Sequence, residues 1–320
     1  MNDFEAARTS AQALAYKNIR TFREGFQLDT AGWALQRDDQ DFLALITSRK
    51  ISGRALLSNE RVHRAAQFAL IDAAGDAYRQ NPERQWLWIT IAWDRGVTWE
   101  RAPRMDTMSL RRIVYGHLDR CGLEGTGTIE FDAWKNLTGE PGRRIVAHAH
   151  FLGFRGDGRR VKTKDMEKEL KSRRALPNSL DAPSVVIKIV KRTPGDFTRR
   201  GFYMLKRPAF AKMYRPDGDG ERPDTASVGH SKSSIARLVE IQSRLEVGDV
   251  LFSIGAGREV ADKVRKEVAP EVRGRRNATP APSRDEVMRH WRRIRLTNGS
   301  HLFREPVIIT CKEDRARERE

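Results

Sequence analysis

The spacing of apolar and polar positions predicts a helical N-terminal end followed by a section rich in strands. One helix is expected to begin after Ser58 or Asn59, either of which can cap it, and to extend to about Tyr78, with apolar positions recurring at helical spacing at Val62, Ala65, Ala66, Ala69 and Ala73. Its histidine, His63, lies among basic residues and is expected at the surface. β-Branched and aromatic residues dominate residues 86–93 and predict a strand. From Leu110 to Cys121 the apolar positions return to helical spacing, which predicts an amphipathic helix with Cys121 buried.

Two histidines lie one residue apart in the apolar run at residues 145–154. Alternate side chains of a strand share a face, so His148 and His150 are expected to point the same way. Neutral imidazole is the commonest metal ligand among side chains, so the pair indicates a metal site. The alternative is a pair of hydrogen-bonded histidines on a half-exposed strand.

Residues 127–132 predict another strand, whose polar positions can complete such a site. Thr128, Glu130 and Asp132 share one face of it. Glycine and proline residues between this strand and the histidine strand predict a hairpin-type connection, and strands that follow each other in sequence usually neighbour in the sheet. A carboxylate is therefore expected beside the imidazoles. Two histidines and one carboxylate leave positions open for water and a phosphate oxygen, as a catalytic metal requires.

A tyrosine and a lysine follow the strand predicted at residues 185–190. Tyr203 and Lys206 are spaced i, i+3 and would be neighbours on a helix, which Pro208 is expected to end soon after Lys206. A phenol is a weak nucleophile at its free pKa, and a nearby cation favours the phenolate. An ordinary amphipathic helix shows the same spacing. Tyr214 lies beyond the break and is not expected on the same helix.

His-Ala-His on a strand, followed by Tyr-x-x-Lys on a later helix, resembles the HUH endonucleases, which include the rolling-circle replication initiators. The resemblance covers about residues 86–210, and Thr90 is what the chain keeps of the family's first motif, an apolar strand with alternating threonines. It implies an α+β fold, an antiparallel-sheet palm of the ferredoxin-like kind, with helical N-terminal and small C-terminal additions. The predicted order of elements, strand, helix, strand, strand, helix, strand, helix, fits that class.

The resemblance also implies a set of metal ligands. His148 and His150 would hold Mg²⁺ or Mn²⁺ together with Glu130, and Asp132 is the alternative third ligand. Within the family a glutamate often comes from the strand that carries Glu130.

In the same resemblance Tyr203 is the nucleophile, and Lys206 offsets the charge of the phosphate. The implied function is site-specific nicking and joining of single-stranded DNA through a 5′-phosphotyrosine, which initiates rolling-circle replication of a plasmid or phage. Two alternatives stay open: a relaxase or transposase with the same chemistry, and a non-catalytic basic nucleic-acid-binding protein.

The charge of the chain favours a nucleic-acid partner. The 320 residues include 60 Lys and Arg against 43 Asp and Glu, a formal net charge of +17, and such an excess indicates a polyanionic partner. Trp88 could stack on single-stranded bases. Arg289, Arg292 and Arg293 lie on the polar side of a predicted helix that begins with a capping box at Ser283 and Glu286, and could contact phosphates.

Composition and the positions of loop-forming residues predict the regions of the chain and its cellular location. A helical region is expected at 1–83, the nuclease domain at 84–214, a flexible linker at 215–232 and an accessory region at 233–320. Gly255-Ala256-Gly257 lacks the lysine of a nucleotide-binding loop, so no nucleotide cofactor is expected and a separate host helicase would unwind the DNA. Two cysteines, an N-terminus without a secretory pattern and the lack of a membrane-length apolar run predict a bacterial cytoplasmic protein without a membrane partner.

Overall fold

A computed structural model describes most of the chain: residues 3–31, 33–34, 37–47, 51–101, 103–137, 141–171, 184–215, 224–230, 234–273, 279–296 and 308–310. Among these residues, no helix is both long enough and apolar enough to cross a bilayer.

The N-terminal part of the chain is mainly helical, as predicted. Its elements are α1 (Asp3–Thr30), β1 (Trp33–Ala34), α2 (Arg37–Thr47), β2 (Ile51–Ser52) and α3 (Glu60–Gln80). Of the two predicted caps of α3, Asn59 is the one used. Its side-chain oxygen accepts from the backbone N–H groups of Arg61 at 3.0 Å and Val62 at 3.1 Å, which satisfies donors that a helix start leaves without partners.

The central section has the predicted order of elements, with one short strand added. It consists of β3 (Leu87–Trp99), β4 (Arg104–Asp106), α4 (Thr107–Arg120), β5 (Leu123–Lys135), β6 (Arg143–Arg155), α5 (Thr163–Lys171), β7 (Val185–Ile189) and α6 (Pro194–Tyr203). Four strands lie side by side in the order β7-β3-β6-β5, each antiparallel to its neighbour. The order β-α-β-β-α-β is that of ferredoxin-like folds. Cys121, directly after α4, is buried, as predicted.

The expectation of an antiparallel sheet is wrong at the outer edge of β5. The seven-stranded sheet is mixed, because one strand pairs there in parallel orientation. β8 (Ala211–Arg215) pairs with the end of β5 in parallel orientation, and β9 (Asp224–Val228) pairs antiparallel with β8. A parallel pair needs a crossover connection, and the segment from β6 to α6 provides it. A flexible linker was predicted at 215–232, but β9 lies within this range. The glycine- and proline-rich surroundings of β9 favour a loop, whereas strand pairing uses backbone N–H and C=O groups, and every residue except proline supplies both.

The C-terminal part of the chain adds another strand to the same sheet. After α7 (Ser234–Arg244) and α8 (Val247–Val250), β10 (Leu251–Ile254) pairs antiparallel with the first half of β5. The remaining elements are a 3-10 turn (Gly255–Gly257), α9 (Arg258–Val272), β11 (Thr279–Pro280), α10 (Arg284–Arg293), β12 (Arg295–Leu296) and β13 (Ile308–Thr310). Three short strand pairs, β1 with β12, β2 with β11 and β4 with β13, connect this part to earlier segments.

Both faces of the sheet are buried, and this burial places the polar site inside the molecule. On β6, Ala147 and Ala149 on one face are at most 1 % exposed, and His148, which points to the other, is 7 % exposed. α6 covers the face of His148, since the ring of Phe197 lies 5.5 Å from that of Trp86. The apolar core is continuous from Phe22 in α1 to Ile294 after α10.

Candidate metal centre

The register of three strands brings the predicted metal-site residues to one place. In the β5–β6 pair, Thr128 lies opposite His150 and Glu130 lies opposite His148. On the other side of β6, Thr90 of β3 lies opposite His150. Residues directly opposite each other in a sheet point to the same face, so the predicted alternation and pairing are confirmed.

The side chains on this face form a group that could hold a metal ion. The Nε2 atoms of His148 and His150 are 3.2 Å apart, and His150 Nε2 is 3.8 Å from Glu130 Oε2. Ligand atoms of the three residues all lie within 4.8 Å of one another. Two ligands each about 2.0–2.1 Å from one ion can be at most about 4.2 Å apart, so a small side-chain rotation suffices.

Each imidazole has a further hydrogen-bond partner. Thr90 Oγ1 is 3.0 Å from Nδ1 of His150, and the backbone carbonyl of Val146 is a hydrogen-bond partner of His148. A metal-binding histidine usually donates its second N–H in this way, which fixes the tautomer and directs Nε2 at the ion. The ring of Trp88 stacks on His150, with 4.8 Å between the centroids. Thr90 is the residue that matches the first motif of the HUH resemblance, and the structure shows that it supports His150.

Burial favours the neutral forms of both imidazoles and of one carboxyl. Burial lowers the pKa of His148, and it lowers that of His150 well below the usual range, so both rings are held in the neutral form that binds metals. Burial, with the charge of Asp132, raises the pKa of Glu130 to about 8. A divalent cation would add positive charge beside this carboxyl, so the three residues could hold a metal ion.

Asp132, the alternative third ligand, is engaged differently. Its Oδ2 lies 3.9 Å from His148 Nε2, but the same oxygen accepts a hydrogen bond from the ammonium group of Lys212 in β8. Although burial alone would raise it, Lys212 and His148 hold the pKa of Asp132 well below its usual range. Asp132 is therefore an ion-paired carboxylate next to the group that contains Glu130. Sequence reasoning missed Lys212, because only the parallel pairing of β8 with β5 brings it here.

The segment that carries Tyr203 differs from the predicted helix at its end. Tyr203 is the last residue of α6, Met204 caps it, and Leu205 has a left-handed backbone with φ of 62°. Lys206 therefore lies beyond the helix, and the prediction that it is on the helix is wrong. Its Nζ is nevertheless 5.4 Å from the centre of the Tyr203 ring. Tyr214 lies in β8, on a separate element, as expected.

Hydrogen bonds from α3 account for this early end of α6. Gln67 Nε2 donates to the carbonyl of Phe202 at 2.9 Å, and His63 Nε2 is 2.6 Å from the carbonyl of Leu205. His63 is thus buried at 3 % exposure, which corrects the surface position predicted for it. The side chains occupy backbone carbonyls that a continued helix would use.

The loop after α6 reaches the metal centre through Glu130. The backbone N–H groups of Leu205 and Lys206 are hydrogen-bond partners of the Glu130 carboxyl, and they act against the effect of burial on its pKa. The charge of Lys206 also acts on Asp132, His148 and His150. Lys206 therefore lies close to the predicted metal ligands and to the tyrosine ring.

Cations around Tyr203 favour its ionised form. Nη2 of Arg199, one helical turn before it, is 3.5 Å from the phenol oxygen. The hydrogen bond from Arg199, with the charges of Arg199, Lys206 and Arg200, lowers the pKa of Tyr203. Sequence reasoning did not identify Arg199 as a partner of Tyr203, although the i, i+4 spacing of the two residues on a helix indicates that they are neighbours.

The other residues predicted to bind DNA have different surroundings. Trp88 is 5 % exposed, and its stack on His150 leaves no open ring for a base, so the predicted stacking does not fit the structure. Arg289 and Arg292 are exposed on α10, which packs against α7. Arg293 instead pairs with buried Asp39 of α2 at 3.1 Å.

No protein-family model matches the chain, and no curated protein or solved structure shows significant similarity to it.

Proposed function

We propose that the chain is a metal-dependent nuclease of the HUH type that nicks and joins single-stranded DNA through Tyr203 and so initiates rolling-circle replication of a plasmid or phage. The observation that carries the proposal is the grouping of His148, His150 and Glu130 on one sheet face, joined through Glu130 to the loop directly after Tyr203. The ferredoxin-like strand order is that of the palm expected for this class. A relaxase or transposase would use the same chemistry.

In the proposed reaction, the residues of the site have separate roles. Tyr203, with its pKa lowered by Arg199, attacks phosphorus and forms a tyrosine–phosphate bond as the 3′-oxygen of the preceding nucleotide leaves with a proton from solvent. Lys206 holds a positive charge beside the phosphate. His148, His150 and Glu130 would hold Mg²⁺ or Mn²⁺, which when bound polarises the scissile phosphate. A later 3′-hydroxyl can reverse the exchange and rejoin the strand, because the phosphotyrosine conserves the bond energy.

A random-sequence library tests the proposal without knowledge of the origin. Single-stranded oligonucleotides with a randomised centre are incubated with the chain and Mn²⁺, and the products are resolved by denaturing electrophoresis and sequenced. We expect cleavage at a preferred sequence, loss of cleavage with a chelator, and an inactive His150→Ala variant that still binds DNA, because binding rests on dispersed phosphate contacts. DNA binding without cleavage by the wild type would favour the non-catalytic alternative. Free products without a protein adduct would indicate a hydrolase that uses water.

A further inference from the structure

A cavity of about 580 Å³ lies on the same sheet face as the metal centre. Thr126 of β5 and Leu152 of β6 line it, two positions from Thr128 and His150 on their strands. Side chains two apart on a strand share a face and are about 7 Å apart. The cavity therefore begins one row of side chains away from the predicted metal ligands.

The walls of the cavity combine aromatic and small side chains. Trp86 and Phe154 form one wall, with their ring centres 4.8 Å apart at an angle of 76°. The wall from α3 consists largely of small side chains, those of Ala73, Ala74 and Ala77. The volume lies within the range of about 300–1,000 Å³ that is typical of ligand pockets.

The polar groups of the cavity favour a base over a phosphate. Asp76 and Glu259 line it with one lysine, Lys263, which forms an ion pair with Asp76. Asp76 also pairs with Arg79, so the two carboxylates balance the charges of Lys263 and Arg79, and no surplus cation is present for a phosphate among the described residues that line the cavity. A carboxylate does accept hydrogen bonds from the amino group of a base, as in the pairing of Glu or Asp with the N4 amino group of cytosine.

The cavity also contacts the segment that carries the nucleophile. Met204 lines it and directly follows Tyr203. We propose that this cavity holds one unpaired, amino-bearing nucleobase of the DNA strand whose phosphate lies at the metal centre. The inference rests on the proposed function and adds a specificity site to it, in which the bound base contacts the residue next to Tyr203.

Equilibrium dialysis of deoxycytidine, deoxyadenosine and thymidine against the full chain tests the site without DNA cleavage. We expect saturable binding of the two amino-bearing nucleosides and weaker binding of thymidine, with no competition from inorganic phosphate. Ala77→Leu fills the cavity and should weaken binding by about tenfold or more. Ala55→Leu is the matched control, because Ala55 lines a separate cavity of about 210 Å³, and it should bind as the wild type does. Glu259→Gln, at an exposed rim position, should reduce the preference over thymidine without a change in folding.

The same assay separates this inference from the proposed function. His150→Ala should lose cleavage and keep nucleoside binding. A wild-type chain that cleaves DNA but binds no nucleoside, or an Ala77→Leu variant that is folded by circular dichroism and binds normally, would overturn the cavity assignment. Nucleoside binding by a chain that forms no DNA adduct would leave the cavity as a base site and contradict the proposed function.

Discussion

Glu130 and Asp132 lie on one face of β5 but have different neighbours, and this difference gives them separate roles. Glu130 lies 3.8 Å from His150 and accepts backbone N–H groups of the loop after α6. Asp132 carries the ion pair with Lys212. The sequence predicted that both share a face with the histidines, because alternation along a strand is a local property. The sequence alone could not show that the two carboxylates have different partners. Lys212 belongs to β8, and no local pattern predicts that β8 pairs with β5.

Neutralising each carboxylate should therefore have unequal effects on metal binding. Glu130→Gln removes a proposed ligand, and we expect it to weaken Mn²⁺ affinity by about tenfold or more. Asp132→Asn leaves the three proposed ligands in place and is expected to have the smaller effect. Calorimetric titration with Mn²⁺ measures both. A larger loss in Asp132→Asn would make Asp132 the third ligand.

At the scale of elements, α3 holds the end of α6 and so determines where Tyr203 lies. The bonds from His63 and Gln67 span 142 and 135 residues along the chain. Sequence spacing predicts a helix from its own periodicity and from breakers such as Pro208, and it therefore extended α6 to Lys206. The actual end depends on donors from a distant helix, which no local pattern contains. The same limit applies to β9, whose composition resembles that of a loop.

Removing one of these donors should affect both stability and the rate of DNA cleavage. His63→Leu leaves the buried carbonyl of Leu205 without its partner, which is expected to cost about 1–3 kcal/mol of the free energy of unfolding. It should also lower kcat more than it raises KM, because the loop next to Tyr203 is displaced while DNA contacts remain. Denaturant unfolding and single-turnover cleavage measure the two effects.

The conservative variant His63→Gln provides the control, since its amide N–H can donate to the same carbonyl. It should recover part of the rate as well as part of the stability. Equal rates for His63→Leu and the wild type would show that the bond has no part in positioning Tyr203.

For the whole molecule, the net charge of +17 is the property that favours DNA binding. The three arginines predicted to contact phosphates are all exposed, but Arg293 is also paired with buried Asp39. Charge composition predicted the class of partner, but it could not show which cations are already paired within the fold.

Single substitutions of these arginines should therefore have different consequences. If Arg289 and Arg292 contact phosphates, changing either to Gln should weaken single-stranded DNA binding and reduce the slope of log affinity against log salt by about 0.7. Arg293→Gln should instead lower the free energy of unfolding, because Asp39 loses a partner. Fluorescence anisotropy across a salt series and denaturant unfolding measure these effects. A salt slope that stays unchanged in both exposed variants would exclude α10 from the DNA-binding surface.

The central claim is that Tyr203 attacks the DNA, and the formation of a covalent adduct tests it most directly. Wild-type protein, Tyr203→Phe and Tyr214→Phe are each incubated with the cleaved oligonucleotide and Mn²⁺, then run on a denaturing gel. Tyr203→Phe keeps the ring and its packing but lacks the hydroxyl group. We expect adducts from the wild type and from Tyr214→Phe, and none from Tyr203→Phe despite unchanged folding and DNA affinity. An adduct that persists in Tyr203→Phe, or disappears only in Tyr214→Phe, would contradict the claim.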